Sequence, residues 1–179
     1  MAFDSELSHS LDELDERIGS QRRAGEQLES VLDEYLLEIE AAADKDIRTS
    51  ILLLDRERKH LLHGAAPSLP KTYCEAIHGV EIGPSAGSCG TAAYMGHSIF
   101  VTDIATDPLW AEYRDLALPH QLRTCWSTPI RSEDDEVIGT FAIYHSSRRA
   151  PTEDEIRAVK AISGHVARAI ARWGDFQAV

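Results

Sequence analysis

Eleven positions at alternating four- and three-residue spacing run from Leu7 to Ala42 without losing register. They are Leu7, Leu11, Leu14, Ile18, Gln21, Gly25, Leu28, Leu32, Tyr35, Ile39 and Ala42, and nine of the eleven are apolar or aromatic. A stripe of this period lies along one side of a helix and has to be covered by something. Gln21 and Gly25 weaken its middle, because glycine inside a helix costs about 1 kcal/mol against alanine. The spacing predicts one helix of roughly 35 residues, kinked or split near Gly25. Two coverings are open. The stripe packs on the chain's own core, or at least its first half pairs with another helix, most simply across a homodimer. The second reading is the expectation here. Charge opposes parallel self-pairing unless Arg17, Arg22 and Arg23 compensate.

That charge is concentrated. Residues 1–46 hold 14 acidic and 4 basic side chains, and residues 47–179 hold 16 and 14, so nearly all of the net −12 sits in the first quarter. The chain therefore divides into an acidic heptad arm, 1–46, and a globular part, 47–179, that includes a C-terminal helix, 152–173. No basic footprint exists to release counterions, which excludes nucleic acid and disfavours anionic membranes. No run approaches the ~20 apolar residues of a membrane span, and no signal peptide is visible at the N-terminus. Three cysteines in 179 residues are too few for a disulfide scaffold and suit a reducing compartment. The expected location is the cytoplasm.

The globular part alternates strands and helices. Residues 49–55 and 60–66 read as a hairpin. A short helix follows at 72–77, then the glycine-rich loop 82–90, a helical turn at 91–95 and a strand at 97–103. Asp107-Pro108 starts a helix running through Trp110, Tyr113 and Leu116 and stopped near Pro119. Residues 124–131 and 137–145 are two strands joined by an acidic turn. Thr152-Glu-Asp-Glu155 is a capping box, and Ile156, Val159, Ser163, Val166, Ile170 and Trp173 form a second stripe behind it. The order predicts an α+β domain with an antiparallel sheet, terminal helices on one face and irregular loops on the other.

Several blocks carry a resemblance: Ser50-Ile-Leu-Leu-Leu-Asp55, Leu62-His-Gly-Ala-Ala-Pro-Ser-Leu-Pro70 and Ile82-Gly-Pro-Ser-Ala-Gly-Ser-Cys-Gly-Thr-Ala-Ala-Tyr94. They continue in Val101-Thr-Asp-Ile-Ala-Thr-Asp-Pro-Leu-Trp110, Cys125-Trp-Ser-Thr-Pro-Ile130 and Val137-Ile-Gly-Thr-Phe-Ala-Ile-Tyr144. With their spacing, these make residues 28–172 resemble a GAF domain of bacterial signalling proteins. The resemblance implies a six-stranded antiparallel sheet, first and last helices that usually dimerise, and a small-molecule pocket among the loops of the opposite face. Its members bind cyclic nucleotides, tetrapyrroles, haem, oxoacids or nitrate, so the fold leaves the ligand and any cofactor open.

The candidate ligand-binding residues are Cys89, Tyr94, Asp103, Asp107, Trp110, Tyr113, Cys125, Ser127 and Tyr144. Cys89 lies where amides at a helix start lower a thiol pKa, or is a small residue in a tight loop. Strand alternation puts Cys125 and Ser127 on one face and Trp126 and Thr128 on the other. Asp103, Asp107, Trp110 and Tyr113 either wall a small-ligand site or serve packing and capping. Cys74 and His78 share a helical face and make half a metal site at most. The eight histidines fall in no metal or haem motif, leaving one axial haem ligand as the residual haem reading.

The expected function is a small-molecule-binding sensory module, dimeric through its terminal helices, that relays occupancy to an output domain or a partner protein in trans. No catalytic residue is assigned. A first alternative is redox sensing by Cys89 and Cys125. The second is an enzyme resembling free methionine-(R)-sulfoxide reductases, which Cys89 matches. Gly79 stands where that family has a cysteine, its catalytic cysteine falls near Leu118 and a ligand-binding glutamate near Cys125, and loss of the nucleophile removes the chemistry.

Overall fold

The computed structural model describes residues 5–20, 27–43 and 46–173, with side chains from residue 9 to 16 in the first stretch. Two helices, α1 (Ser5–Ser20) and α2 (Leu28–Ala42), precede the sheet strands β1 (Ile47–Leu54) and β2 (His60–Ala65). Then come α3 (Lys71–Ile77), β3 (Val80–Glu81), α4 (Gly87–Met95), β4 (Ile99–Val101), α5 (Arg114–Ala117), β5 (Thr124–Arg131), β6 (Val137–His145) and α6 (Glu153–Trp173). The six strands form one antiparallel sheet in the order β3-β2-β1-β6-β5-β4. This is the α+β architecture expected.

The central strands are apolar on both faces because both faces are covered. Ile51, Leu53, Phe141 and Ile143 point into one core with α1, α2 and α6, whereas Leu52, Leu54, Ala142 and Tyr144 point into a second core with α3, α4 and the loops. At the centre, β1 and β6 pair from Ile47↔His145 to Leu53↔Gly139. Gly139 is required there, since a Cβ would lie 2.3 Å from the Leu52 carbonyl oxygen.

The first stripe is covered inside the chain. Leu11, Leu14, Leu32, Tyr35 and Ile39 are buried in one cluster with Val159, Ile162 and Val166 of α6. Instead of one long helix there are two, and α1 folds back antiparallel on α2: Ser10 bonds Glu38 and Tyr35 bonds Asp15. Folding back lets both halves of the stripe share the surface of α6, which a straight helix does not allow. Gln21 and Gly25 lie outside the described residues, as do the side chains of Leu7 and Ile18. Ala42 is exposed.

Buried Asp15 clamps this junction. Its carboxylate receives Arg168 Nε and a terminal guanidinium nitrogen at 3.3 Å each, and His165 Nδ1 lies 3.1 Å away. Arg172 donates to the Asp15 carbonyl at 2.6 Å. The capping box forms as expected: Thr152 N–H reaches Glu155 Oε2 at 2.8 Å and Glu155 N–H reaches Thr152 Oγ1 at 3.3 Å. Arg149 grips the same Glu155 at 2.7 and 2.9 Å and lies 5.0 Å over the Trp126 ring.

The segment between β4 and β5 differs from the expected strand and helix. The strand is only Ile99–Val101, and Asp103 already sits in a turn. The helix breaks into a 3-10 turn at Pro108–Trp110, the single turn of α5 and another 3-10 turn at Leu118–His120. Arg114 supplies a reason: its guanidinium donates to the carbonyls of Ala105, Asp107 and Trp110, holding the segment as a compact loop.

Candidate functional site

Helix α4 packs across β5 and β6 on the face away from α6. It starts four residues earlier than the expected turn at 91–95, at Gly87, whose φ of +61° suits glycine. A Cβ on Gly87 would also meet the Trp110 ring at 3.7 Å. Cys89 thus lies in the first turn of the helix rather than before it. One residue earlier, Ser88 joins three elements: its hydroxyl donates to the Cys125 carbonyl and accepts from Trp110 Nε1, both at 3.0 Å.

Beside this junction is a cavity of about 30 Å³, lined among others by Leu52, Leu61, Tyr73, Cys89, Trp110 and Tyr144. That is room for roughly two water-sized molecules. None of its lining residues is an acid, a base or a histidine. Tyr73 and Tyr144 meet edge to face at 5.9 Å with their hydroxyls 3.4 Å apart, and burial pushes both phenols up.

Strand pairing sets the floor. Cys125 faces Tyr144, Ser127 faces Ala142, and Thr140 faces Pro129 one pair further along, so all these side chains share the cavity face. Ser127 and Thr140 are fully buried, and neither hydroxyl has a hydrogen-bond partner. The polar groups around it, Cys125 first and then Ser127, Thr140 and Tyr144, hold the Cys89 thiol below its ordinary range despite burial. The neighbouring Cys125 is raised, first by burial and then by Cys89.

Of the residues singled out in the sequence, Cys89, Trp110, Tyr113 and Tyr144 line the cavity, and Cys125 and Ser127 lie beneath it. Three lie elsewhere. Tyr94 is 55% exposed on the outer side of α4. Asp103 binds Arg123 Nε at 2.8 Å and Arg148 Nε at 3.3 Å and accepts the Ala105 amide. Burial raises its pKa, but Arg123 and that amide leave the carboxyl below its ordinary range. Asp107 caps the 3-10 turn by accepting Leu109 N–H at 2.9 Å. Both acids have structural partners because the loop they belong to folds on them.

Sequence reasoning missed Tyr73, Ile77 and Ser88. Tyr73 and Ile77 sit four apart on α3, an apolar pair that points inward and was legible. Ser88 carried no signal, since its role depends on Trp110 meeting it through space. The Cys74–His78 half-site does not form as read: His78 Nδ1 accepts the His63 amide at 3.0 Å. Among the described residues the one group with metal-ligand proximity is Asp12, Asp15 and His165, where two arginines already occupy Asp15.

A profile described as GAF domain matches residues 25–171. The methyl sulfide methyltransferase-associated sensor of Methanosarcina acetivorans is 39% identical over 153 residues, covering 83% of this chain and 15% of that protein. The chain therefore spans a small part of this relative's length. A GAF sensor protein of Burkholderia vietnamiensis superposes with a TM-score of 0.70 at 16% identity, covering 94% of this chain and 99% of that one. The fRMsr of Staphylococcus aureus in its reduced form does so with a TM-score of 0.66 at 18% identity, over 89% and 94%. Both likenesses concern the fold. No described helix is long and apolar enough to cross a membrane.

Proposed function

Given that the chain belongs to the GAF domain family, we propose that it is a non-catalytic cytoplasmic sensory module whose cavity takes a small, uncharged, mostly apolar molecule. The observation that carries this reading is the lining: tyrosines, a tryptophan, aliphatic side chains and a thiol, with no carboxylate, lysine, arginine or histidine to balance a charged ligand. Anionic ligands such as nitrate or cyclic nucleotides lack a partner there. The Methanosarcina relative is named for a methyl sulfide methyltransferase, and a methyl sulfide is a neutral thioether of this class.

A ligand of more than a few atoms has to displace Trp110, and Trp110 is tied through Ser88 to β5. The next residue of β5, Trp126, faces the other side, under the Arg149 that holds the start of α6. A path of direct contacts thus joins the cavity to the helices. Occupancy shifts the helices only as far as the ligand prefers one arrangement over another. The output is a further domain or a partner protein. We place the homodimer contact on helix surfaces outside the buried stripe, where Leu37 and Ile156 are exposed.

The test uses dimethyl sulfide as a neutral probe and nitrate as a charged one, read by Trp110 fluorescence in a chain with the other tryptophans replaced by phenylalanine. Saturable change and a raised Tm with dimethyl sulfide alone support the reading. Saturation by nitrate alone, or a charged adduct in native mass spectrometry, overturns it. A monomer in sedimentation at micromolar concentration removes the dimer.

A further inference from the structure

Outside the inner cavity, a cleft of about 420 Å³ opens where the run into β4, the end of β5 and the middle of α6 meet. Sites for small metabolites occupy about 300–1,000 Å³, so this cleft has the room that the inner cavity lacks. The side chains that give it chemistry are His97, Ser98, Thr128, Arg131 and Lys160, and Gly164 leaves its α6 wall bare. No carboxylate lines it. In a chain with 30 acidic and 18 basic residues, two cations and an imidazole around one cleft without an acid run against the composition.

The donors there have capacity to spare. One terminal nitrogen of Arg131 donates to the Gly96 carbonyl at 2.5 Å, and the other donates to the Asp135 carbonyl at 2.6 Å. Its carboxylate contact is Asp135 at 3.3 Å, a side chain 85% exposed to water. A guanidinium carries five N–H donors, so Arg131 is a fixed fork with hydrogens left over. Lys160 is exposed, and its ammonium has no partner among the described residues. The hydroxyls of Ser98 and buried Thr128 bond each other at 3.0 Å. That bond uses one hydroxyl hydrogen, and the second has no acceptor among the described residues. Gly164 adds an independent sign. Glycine weakens a helix interior, yet beyond its own helical turn a Cβ here would meet only the end of the Arg168 side chain, at 3.8 Å. Packing does not demand this glycine, and its effect is to keep the cleft open.

We propose that this cleft binds a phosphate dianion, free or as the head of a small phosphorylated metabolite, between Lys160, Arg131 and the Ser98–Thr128 hydroxyl pair. Phosphate presents acceptors on every oxygen, which suits a lining of donors with no carboxylate among them. His97, whose Nδ1 lies 3.2 Å from the Ser98 carbonyl, borders the same hydroxyl pair. A bound anion ties Lys160 of α6 to Arg131 at the end of β5, a second input to the terminal helix. This input is separate from the inner cavity and does not depend on what the cavity holds.

The test titrates the isotope-labelled full chain with inorganic phosphate and with glycerol phosphate, against sodium chloride at equal ionic strength. Expected are amide shifts centred on residues 96–98, 128 and 160–164 that saturate below about 10 mM, with Trp110 unmoved. Lys160→Gln weakens binding by about tenfold or more, and Gly164→Glu, which sets a carboxylate in the cleft, abolishes it. Tighter binding of the glycerol ester assigns an organic phosphate, and equal or weaker binding assigns phosphate itself. Shifts that chloride reproduces overturn the proposal, as does a failure to saturate by about 10 mM. Parent-like binding in both variants overturns it too. Shifts centred on Trp110 and Tyr144 put the anion in the inner cavity and overturn the neutral-ligand reading as well. If a variant fails to fold, the shift map of the unaltered chain decides alone.

Discussion

The two faces of the sheet are built on opposite principles. On the helix face the large side chains interlock, and the buried charged groups Asp15 and Glu155 are each matched by arginines. On the cavity face an uncharged hollow remains, and two fully buried hydroxyls go unpaired beside a thiol. The same strands serve both, with alternate residues turned to each side. One side pairs its buried charges, though Trp126 Nε1 and His145 Nε2 there have no partner among the described residues, while the other leaves neutral hydroxyls unpaired around a hollow.

The sharpest way to break that contrast is to truncate the helix face. Leu36→Ala removes a side chain with no exposed surface from the centre of α2, and the expected loss is about 3 kcal/mol in denaturant unfolding. A loss under about 1 kcal/mol would mean that α2 is not a true part of the core.

Acid comes next. His145 is buried on the helix face with Nε2 unpartnered, stacked 4.5 Å from Trp126, and burial followed by nearby Arg149 holds its pKa down at about 4. The unfolded chain takes up that proton first, near 6.5. Stability is therefore intact above pH 6.5, declines as pH falls from 6.5 to 4 and levels off below, by about 3 kcal/mol in all. His145→Gln removes this slope, read by unfolding at several pH values.

Asp15→Asn is expected to cost about 1.5 kcal/mol, less than a wholly buried pair because Arg168 and Arg172 are half exposed. High salt narrows the difference between the variant and the parent chain. The smallest effect belongs to the cavity face: Ser127→Ala is expected to stabilise by about 1 kcal/mol, since it removes a buried hydroxyl that makes no bond. A large loss there would show that Ser127 has a structural partner and would blur the distinction between the faces.

The parts legible in the sequence were those set by period or by a local motif. Alternation placed Cys125 and Ser127 opposite Trp126 correctly, and the capping box marked the start of α6. The stripe of α1 and α2 was real, but periodicity names a face and not the surface that covers it. Hence the turn back onto α6 was not foreseen. Asp103 read as a ligand-site candidate, because the arginines that engage it, Arg123 and Arg148, lie far along the chain. The loop from Asp103 to Leu122 escaped for a similar reason: Arg114 organises carbonyls that no local propensity records. The cavity residues found were aromatic or sulfur-bearing. Ser88, equally important to the site's geometry, looked like any serine.

The strand order has a consequence for biosynthesis. The two central strands, Ile47–Leu54 and Val137–His145, are separated by most of the domain. While the chain is being made, the inner edge of β1 stays open until β6 emerges, and closing so long a loop carries an entropic cost. The decisive pairing waits until residues 137–145 have left the ribosome. A product ending before residue 137 is therefore not a smaller domain. It presents an apolar strand edge to any neighbour and is a substrate for chaperones or aggregation.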